Sequence, residues 1–266
     1  MNQSPYIIAG GASGKERLAR LGGIMNAGTL ALLRTLQPES VARFLDLGCG
    51  GGSLSMAVAK SGLAGQVTGI DFDAALLELA RQDAAAAGIV NLVFEPGDAT
   101  QPLAAGGFDT SYARFLLCHM TDPLLVLRHL AAALRPGGLI LVEDVDFSGH
   151  YCYPPNAAFA RYLDYYTRAA RQNGQDPDIG LRLLALFREA GITEVGFDVV
   201  QPSFHTGSGK WMAYDTLHRI GAAVERQGIA TAGELQATLG ELKAFTEDES
   251  TIISMPRIFR VWGRRQ

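Results

Sequence analysis

The sequence is poor in cysteine, and this scarcity already excludes two classes of protein. Cys49, Cys118 and Cys152 are the three cysteines among 266 residues, and no two of them form a CxxC pair. An odd, scattered set of this kind supports neither a disulfide framework nor a structural zinc site.

Net charge and long apolar runs are scarce as well. Lys and Arg number 23 against 27 Asp and Glu, which gives a net charge of −4 without a basic cluster. We therefore expect no nucleic-acid partner. No run approaches the roughly 18 apolar residues that span a bilayer. The first residues, MNQSPYIIAGGASGKER, also lack the basic start and apolar stretch of a secretory signal. The sequence predicts a cytoplasmic protein without a membrane span.

What the chain does contain is an alternation of strand and helix patterns from residue 41 to residue 145. Short apolar strands are predicted at VARFLDL, QVTGID, NLVFE, FDTSYAR and GGLILVEDV, with helical segments between most of them. Such alternation is typical of parallel βαβ units with helices on both faces of a sheet. Residues 14–36 are predicted to be helical, with the helix broken or weakened at Gly22-Gly23.

After residue 150 the alternation loosens. Helices are predicted at 155–173 and 178–190, a strand at 195–202, two further helices, and a closing strand at IFRVWG. We predict a single domain over 1–266, with an N-terminal helical lid (1–40), a cofactor-binding core (41–145) and a substrate-side part (146–266). The apolar helices after residue 207 fit either a lid or the interface of a homodimer.

The strongest motif is FLDLGCGGGS, residues 44–53, in which a strand ending in Asp46 meets glycines at positions 48, 50 and 52. Glycine permits positive φ and a close approach of backbone to ligand, and the next helix offers free N–H groups. A dinucleotide fingerprint would require glycine where Ser53 stands. The Asp46 carboxylate would also repel a pyrophosphate and attract an ammonium group. The turn favours a nucleoside joined to an amino acid, although tight packing alone remains an alternative explanation.

Two further carboxylates follow the next strands. Asp71 ends the second strand, where it can accept hydrogen bonds from ribose hydroxyls, and Phe72 beside it can cover an adenine face. Asp98, in GDA, follows the third strand and can accept from the adenine amine. A helix cap at Asp71 and a turn at Asp98 are the alternatives. Their order at successive strand ends favours binding.

Taken together, the sequence resembles the class I S-adenosylmethionine-dependent methyltransferases. The matching segments are DLGCGGG (46–52), GID (69–71), GDA (97–99), FDTSYARFLLCH (108–119) and LRPGG (134–138), with IFRVWGRR similar to the last strand of that fold. More narrowly, it resembles small-molecule enzymes of ubiquinone and menaquinone biosynthesis and of secondary metabolism. The resemblance implies an α/β fold, a Rossmann-like, doubly wound and mostly parallel seven-stranded sheet with an antiparallel last strand and helical cap insertions. It also implies S-adenosylmethionine as the cofactor and S-adenosylhomocysteine as its product.

The resemblance also assigns roles to individual positions. Gly48 and Gly50 would lie beside the methionine part, Asp71 would hold the ribose, and Asp98 with Ala99 the adenine. Arg114 would pair with the cofactor carboxylate, the alternative being a salt bridge to an acid such as Asp122. The complete expected set is Tyr6, Asp46, Gly48, Cys49, Gly50, Asp71, Phe72, Asp98, Ala99 and Arg114.

Aromatic residues are concentrated between positions 147 and 166. Phe147, Tyr151 and Tyr153 follow the fifth strand, where pocket walls are built, and with His205 they are the predicted substrate-pocket residues. One helical face is expected to pack on the body of the domain instead, and it carries Phe159, Tyr162, Leu163 and Tyr166. We therefore expect a mainly apolar or aromatic small-molecule substrate.

The catalytic residues remain open. His150 and His205 follow strands and are the candidate bases, and no acidic ligand set is apparent, so no metal is predicted. The leading hypothesis is methyl transfer to a small metabolite. The alternatives are a non-methylating reaction on the bound cofactor, a non-catalytic cofactor-binding module and, least favoured, a nicotinamide dehydrogenase.

Overall fold

A computed structural model describes residues 12–103 and 106–266. The strands are β1 (Val41–Leu47), β2 (Ala64–Asp71), β3 (Leu92–Pro96), β4 (Phe108–Arg114), β5 (Leu134–Asp146), β6 (Cys152–Tyr153), β7 (Thr193–Val200), β8 (Ser203–Phe204), β9 (Ile252–Ser254) and β10 (Arg257–Arg264). The α-helices are α1 (Ala12–Leu36), α2 (Ser53–Lys60), α3 (Ala74–Ala86), α4 (Pro123–Ala133), α5 (Ala157–Gln172), α6 (Leu183–Glu189), α7 (Met212–Arg226) and α8 (Ala232–Glu247).

Seven strands form the main sheet in the order β3-β2-β1-β4-β5-β10-β7. The first five pair in parallel, and β10 runs antiparallel to both of its neighbours, β5 and β7. This confirms the predicted Rossmann-like sheet with its antiparallel last strand. The order reverses between β1 and β4, and the carboxyl ends of the strands beside this switch point are where such sheets bind ligands.

A second sheet was not predicted. Strands β6, β9 and β8 form a small antiparallel sheet in that order. Its strands are two or three residues long, too short for the alternation of apolar and polar residues to mark them in the sequence.

Helices α5, α7 and α8 pack on one another around their own apolar cluster. Its fully buried members include Ala158, Leu217, Ile220 and Leu242. Side-chain caps start two of these helices, since Asn156 accepts from the Phe159 N–H at α5 and a Thr231–Glu234 capping box opens α8. None of the described helices has the length and apolar character that a membrane crossing requires.

A break of α1 at Gly22-Gly23 is wrong, because the helix runs continuously from Ala12 to Leu36. Gly22 is buried where α1 meets the start of α2, and a Cβ there would lie 2.1 Å from Ser53 Oγ. Asn26 holds the same contact by donating to Ser53 Oγ at 2.9 Å. Gly22 therefore serves a close helix–helix approach, and helix propensity alone could not reveal it.

The two adjacent glycines provide a matched test of this contact. Gly23 is exposed, with no atom within 4 Å of a Cβ built there. Gly23→Ala should raise the free energy of unfolding by about 0.5–1 kcal/mol, because alanine is the better helix former. Gly22→Ala should lower it by about 1–3 kcal/mol, because the added methyl group displaces Ser53. Denaturant unfolding of both variants measures the difference, and equal stabilisation by both would contradict the close approach.

Candidate functional site

A cavity of about 910 Å³ opens at the carboxyl ends of β1, β2 and β4. The turns after β1, β2 and β3 form one end, which we call the nucleoside end. Helices α5 and α7 and the segment 254–256 form the other, the aromatic end, while α1 runs along the side. Its volume is in the range of small-molecule sites, about 300–1,000 Å³.

The glycine turn after β1 is fastened to β2. The N–H groups of Gly48 and Cys49 both donate to the Ile70 carbonyl, at 2.8 and 3.0 Å. Gly52 has a φ of +71°, and a Cβ on it would lie 2.3 Å from the Phe94 ring. The turn thus has the positive φ that the motif predicts, and at Gly52 packing alone would also exclude a side chain.

Asp71 braces the same turn from the end of β2. One carboxylate oxygen accepts from the Gly50 N–H at 2.8 Å and the other from the Asp73 N–H at 3.0 Å. The alternative reading of Asp71 as a helix cap does not hold, because Asp73 caps α3. Burial raises the pKa of Asp71, while the two backbone hydrogen bonds oppose the rise. Each oxygen keeps a lone pair for a hydroxyl of a ligand.

Asp46 places a second carboxylate deep in this end. It is 3% exposed and accepts from the Ser55 hydroxyl at 2.6 Å. Burial raises its pKa to about 6, even though the Ser55 hydrogen bond and the Arg114 charge act against the rise. A cationic ligand beside Asp46 would favour the charged carboxylate.

Arg114 lies at the end of β4 with one terminal nitrogen uncommitted. Its Nη2 donates to Asn26 Oδ1 at 3.0 Å, while Nη1 lies 3.9 Å from Glu143 Oε2 and has no hydrogen-bond acceptor among the described residues. The acid beside it is therefore Glu143 and not Asp122, which caps α4. A buried guanidinium nitrogen without an acceptor suits an anionic group of a ligand.

The remaining nucleoside-end residues border the cavity at its mouth. Phe72 is 62% exposed, and Asp98 accepts from the Thr100 N–H and hydroxyl in the tight turn that was its alternative explanation. Cys49 and Ala99 also line the cavity. The structure thus brings together every predicted cofactor-binding residue except Tyr6, which lies outside the described residues.

At the aromatic end, four rings form what we call the aromatic wall: Phe147, His150, Tyr162 and Tyr166. Phe147 stacks on Tyr166 with ring centroids 4.0 Å apart, and the edges of Tyr162 and His150 contact it at 5.7 and 4.5 Å. Tyr162 and Tyr166 were expected only to pack on the domain. They are buried, but they also line the cavity. Helical periodicity identifies a buried face without showing which of its residues border a cavity.

Three predicted pocket residues lie elsewhere. Tyr151 and Tyr153 are 46% and 65% exposed, and neither lines the cavity. Segment 151–153 leads into β6 of the small sheet, and the Tyr151 hydroxyl reaches Ser203 Oγ at 2.8 Å instead. His205 is exposed after β8, again outside the cavity. Their positions after strands did not indicate the direction of these side chains, so we do not propose them as pocket residues.

His150 lines the cavity but is poorly suited to remove a proton. Its Nδ1 lies 3.0 Å from the Ser254 carbonyl, which can only accept, so the ring proton is on Nδ1 and Nε2 is unprotonated. Burial lowers the pKa of His150 to about 3. A group of such low basicity is a weak general base at neutral pH. In the part of the chain described, no three His, Cys, Asp or Glu side chains are grouped to hold a metal ion.

The sequence match that bears on this site covers more than half of the chain. Residues 38–174, which include the glycine turn, Asp71, Asp98 and Arg114, match the family model described as a methyltransferase domain. The chain belongs to this methyltransferase family.

Individual relatives and solved structures agree with this assignment. The chain is 37% identical over 108 residues to the ubiquinone biosynthesis O-methyltransferase of Xanthomonas euvesicatoria pv. vesicatoria (strain 85-10). The aligned segment covers 40% of this chain and 44% of the relative. The chain thus matches less than half the length of that curated relative.

Two solved structures show the same fold. A candidate methyltransferase of Bacillus halodurans C-125 superposes with a TM-score of 0.59 at 20% identity, over 90% of this chain and 99% of that one. Phosphoethanolamine N-methyltransferase 2 of Haemonchus contortus, in complex with S-adenosyl-L-methionine, also has a TM-score of 0.59, at 16% identity, over 96% of this methyltransferase and 57% of that chain.

The raised pKa of Asp46 predicts a pH-dependent stability. In the folded protein the pKa of Asp46 is about 6, whereas the ordinary pKa of an aspartate side chain is 3.8. Ionisation of Asp46 therefore costs stability as the pH rises through this window. Asp46→Asn cannot ionise, so its free energy of unfolding relative to wild type should increase by about 2 kcal/mol from about pH 4 to about pH 7.

Urea unfolding across this pH range measures the effect. Asp109→Asn is the control: burial raises the pKa of Asp109, but hydrogen bonds from Arg135 and the Arg43 N–H outweigh it and lower the pKa overall. The free energy of unfolding of Asp109→Asn relative to wild type should not increase over the same pH range. A pH-independent difference between wild type and Asp46→Asn would rule out the raised pKa.

Proposed function

We propose that this methyltransferase transfers a methyl group from S-adenosylmethionine to a small, mainly apolar or aromatic molecule. One observation carries the proposal: a single cavity joins a nucleoside end lined by carboxylates to an aromatic wall. Cofactor and acceptor would thus meet inside one enclosure at the carboxyl edge of the sheet, where ligands of such folds bind.

The residues of the nucleoside end fit the parts of this cofactor. Asp71 would accept from the ribose hydroxyls and Phe72 would cover the adenine, with Asp98 and Ala99 at its edge. The free Nη1 of Arg114 would bind the carboxylate of the amino-acid part. The buried Asp46 carboxylate would attract the positively charged ammonium group of the same amino-acid part.

When bound, S-adenosylmethionine supplies a methyl group that a positively charged sulfur has already activated. The main task of the protein is then to place an acceptor in line with the transferred group, at about 3–3.5 Å. The aromatic wall would do this by apolar contact, and its three buried rings, Phe147, Tyr162 and Tyr166, would keep water from the methyl group. Because His150 is a weak base, we assign no proton-accepting residue.

The accepting atom is proposed from the relatives. The Xanthomonas protein is named an O-methyltransferase, and several further relatives of similar identity carry the same activity in their names. We therefore propose an oxygen acceptor.

Two ligands and two variants separate the roles of Asp71 and Arg114. S-adenosylhomocysteine carries the amino-acid part, and 5′-methylthioadenosine lacks it. Asp71→Asn should weaken both ligands about 10- to 100-fold, because the hydroxyl contacts are common to both. Arg114→Gln should weaken S-adenosylhomocysteine by a similar factor and leave 5′-methylthioadenosine unchanged. Isothermal titration calorimetry measures both affinities.

Asp164→Asn and Arg168→Gln are matched controls, since this exposed ion pair lies on α5 with side chains 54% and 47% accessible. Neither should alter binding of either ligand. Equal loss of both ligands in Arg114→Gln would contradict its assigned role, and unchanged binding in Asp71→Asn would contradict the cofactor site. Methylated product appearing with S-adenosylhomocysteine would support methyl transfer over a non-catalytic binding module.

A further inference from the structure

Arg17 brings a positive charge to the cavity from the side of α1. It is half-buried and lines the cavity, and its Nε donates to Thr216 Oγ1 of α7 at 3.4 Å. One turn further along α1, Arg20 forms an ion pair with Asp215. The two contacts tie α1 to α7 and set the position of the Arg17 guanidinium. Because Nε is engaged by Thr216, the two terminal nitrogens form the edge left for another partner.

In the described part of the chain, Arg17 has no acidic partner. Among the described residues, no Asp or Glu forms an ion pair with it, in contrast to Arg20. The sequence outside the described ranges, residues 1–11 and 104–105, contains no Asp or Glu. The charge of Arg17 is therefore not balanced by an ion pair with any side chain that the structure describes.

Three uncharged side chains lie near Arg17: His119, Tyr162 and Thr216. Burial, together with the charge of Arg17, holds the pKa of His119 at about 4, so this imidazole is uncharged at neutral pH. Burial raises the pKa of Tyr162, with Arg17 opposing the rise, so its hydroxyl keeps its proton. Thr216 donates its own proton to the Met212 carbonyl at 2.7 Å and is left to accept from Arg17.

The charges of the cavity are separated along its length. The lining carboxylates, Asp46, Asp71, Asp73 and Asp98, belong to the turns and strand ends of the nucleoside end. Arg114 has Glu143 beside it. Among the described lining residues, Arg17 is the charged side chain that lies beside α7 and Tyr162 of the aromatic end. A cation in such a partly desolvated, apolar site is stabilised most by a carboxylate that binds it in bidentate fashion.

We propose that the methyl acceptor is an apolar or aromatic carboxylic acid whose carboxylate binds Arg17 while its hydrocarbon part contacts the aromatic wall. This inference rests on the proposed function, because it names the substrate class of the same site. Arg17 is a specificity residue in this scheme, and Thr216 positions it.

Matched acids and esters test the proposal directly. The probes are benzoate, 4-hydroxybenzoate, 4-hydroxycinnamate, indole-3-acetate and octanoate, each with its methyl ester, titrated into the protein saturated with S-adenosylhomocysteine. Wild type should bind at least one acid about 10- to 100-fold more tightly than its ester. Arg17→Gln should abolish this preference, Arg17→Lys should retain part of it, and the surface control Arg168→Gln should retain all of it.

The affinity for S-adenosylhomocysteine itself keeps this test separate from the proposed function. It should be the same in wild type and in Arg17→Gln. A wild type that prefers no acid over its ester overturns the inference, as does a preference that survives Arg17→Gln. If Arg17→Gln also bound S-adenosylhomocysteine about 10- to 100-fold more weakly, Arg17 would be assigned to the cofactor and the inference would fail. If wild type did not bind S-adenosylhomocysteine at all, the proposed function would fail, and the acid–ester comparison would then be made on the unliganded protein.

Discussion

Glu143 has no exposed surface, and side chains from two other elements satisfy its carboxylate. Thr29 of α1 donates to it at 2.8 Å, Tyr112 of β4 donates at 2.6 Å, and the Arg114 guanidinium lies at 3.9 Å. A buried carboxylate is tolerated only with such a set of partners. This cluster joins α1 to the centre of the sheet, and both ends of the cavity depend on it. At the nucleoside end Glu143 lies beside Arg114. For the aromatic end, the contact with Thr29 fixes α1, the helix that carries Arg17.

The separation of charge within one cavity would let its two ends bind two different molecules, as we propose. Carboxylates at the nucleoside end suit a ligand with hydroxyl donors and a positive sulfur, and Arg114 suits its carboxylate. The aromatic wall and Arg17 suit a second molecule of a different kind, apolar over most of its surface and negative at one point. A cofactor and its acceptor can thus be told apart by charge before either is oriented, which is how complementary electrostatics gives specificity.

The sequence was most informative where local chemistry and chain order determine position. The alternation of strands and helices predicted the sheet. Asp46 and Asp71 lie at the ends of β1 and β2, and Asp98 follows β3, so their convergence at one edge could be predicted. Gly22 was misread because its role depends on Ser53, 31 positions away, and not on the propensity of α1.

Outside the parallel core, the directions of side chains depend on tertiary contacts that the sequence does not show. Tyr153 faces solvent because of the small sheet, whereas Tyr162 reaches the cavity through the packing of α5 on α7. In the sequence, Arg17 cannot be distinguished from a surface arginine, because its position in the cavity depends on the contact between α1 and α7. A sequence pattern can show that a face is buried, but not which neighbour it is buried against.

A crystal structure with S-adenosylhomocysteine tests the central claim most directly, because it shows which end of the cavity holds each part of the nucleoside. We expect the ribose hydroxyls on the Asp71 carboxylate, the ligand carboxylate on Arg114, and the sulfur facing the aromatic wall. A ribose remote from Asp71, or a ligand carboxylate bound to Arg17, would contradict that claim.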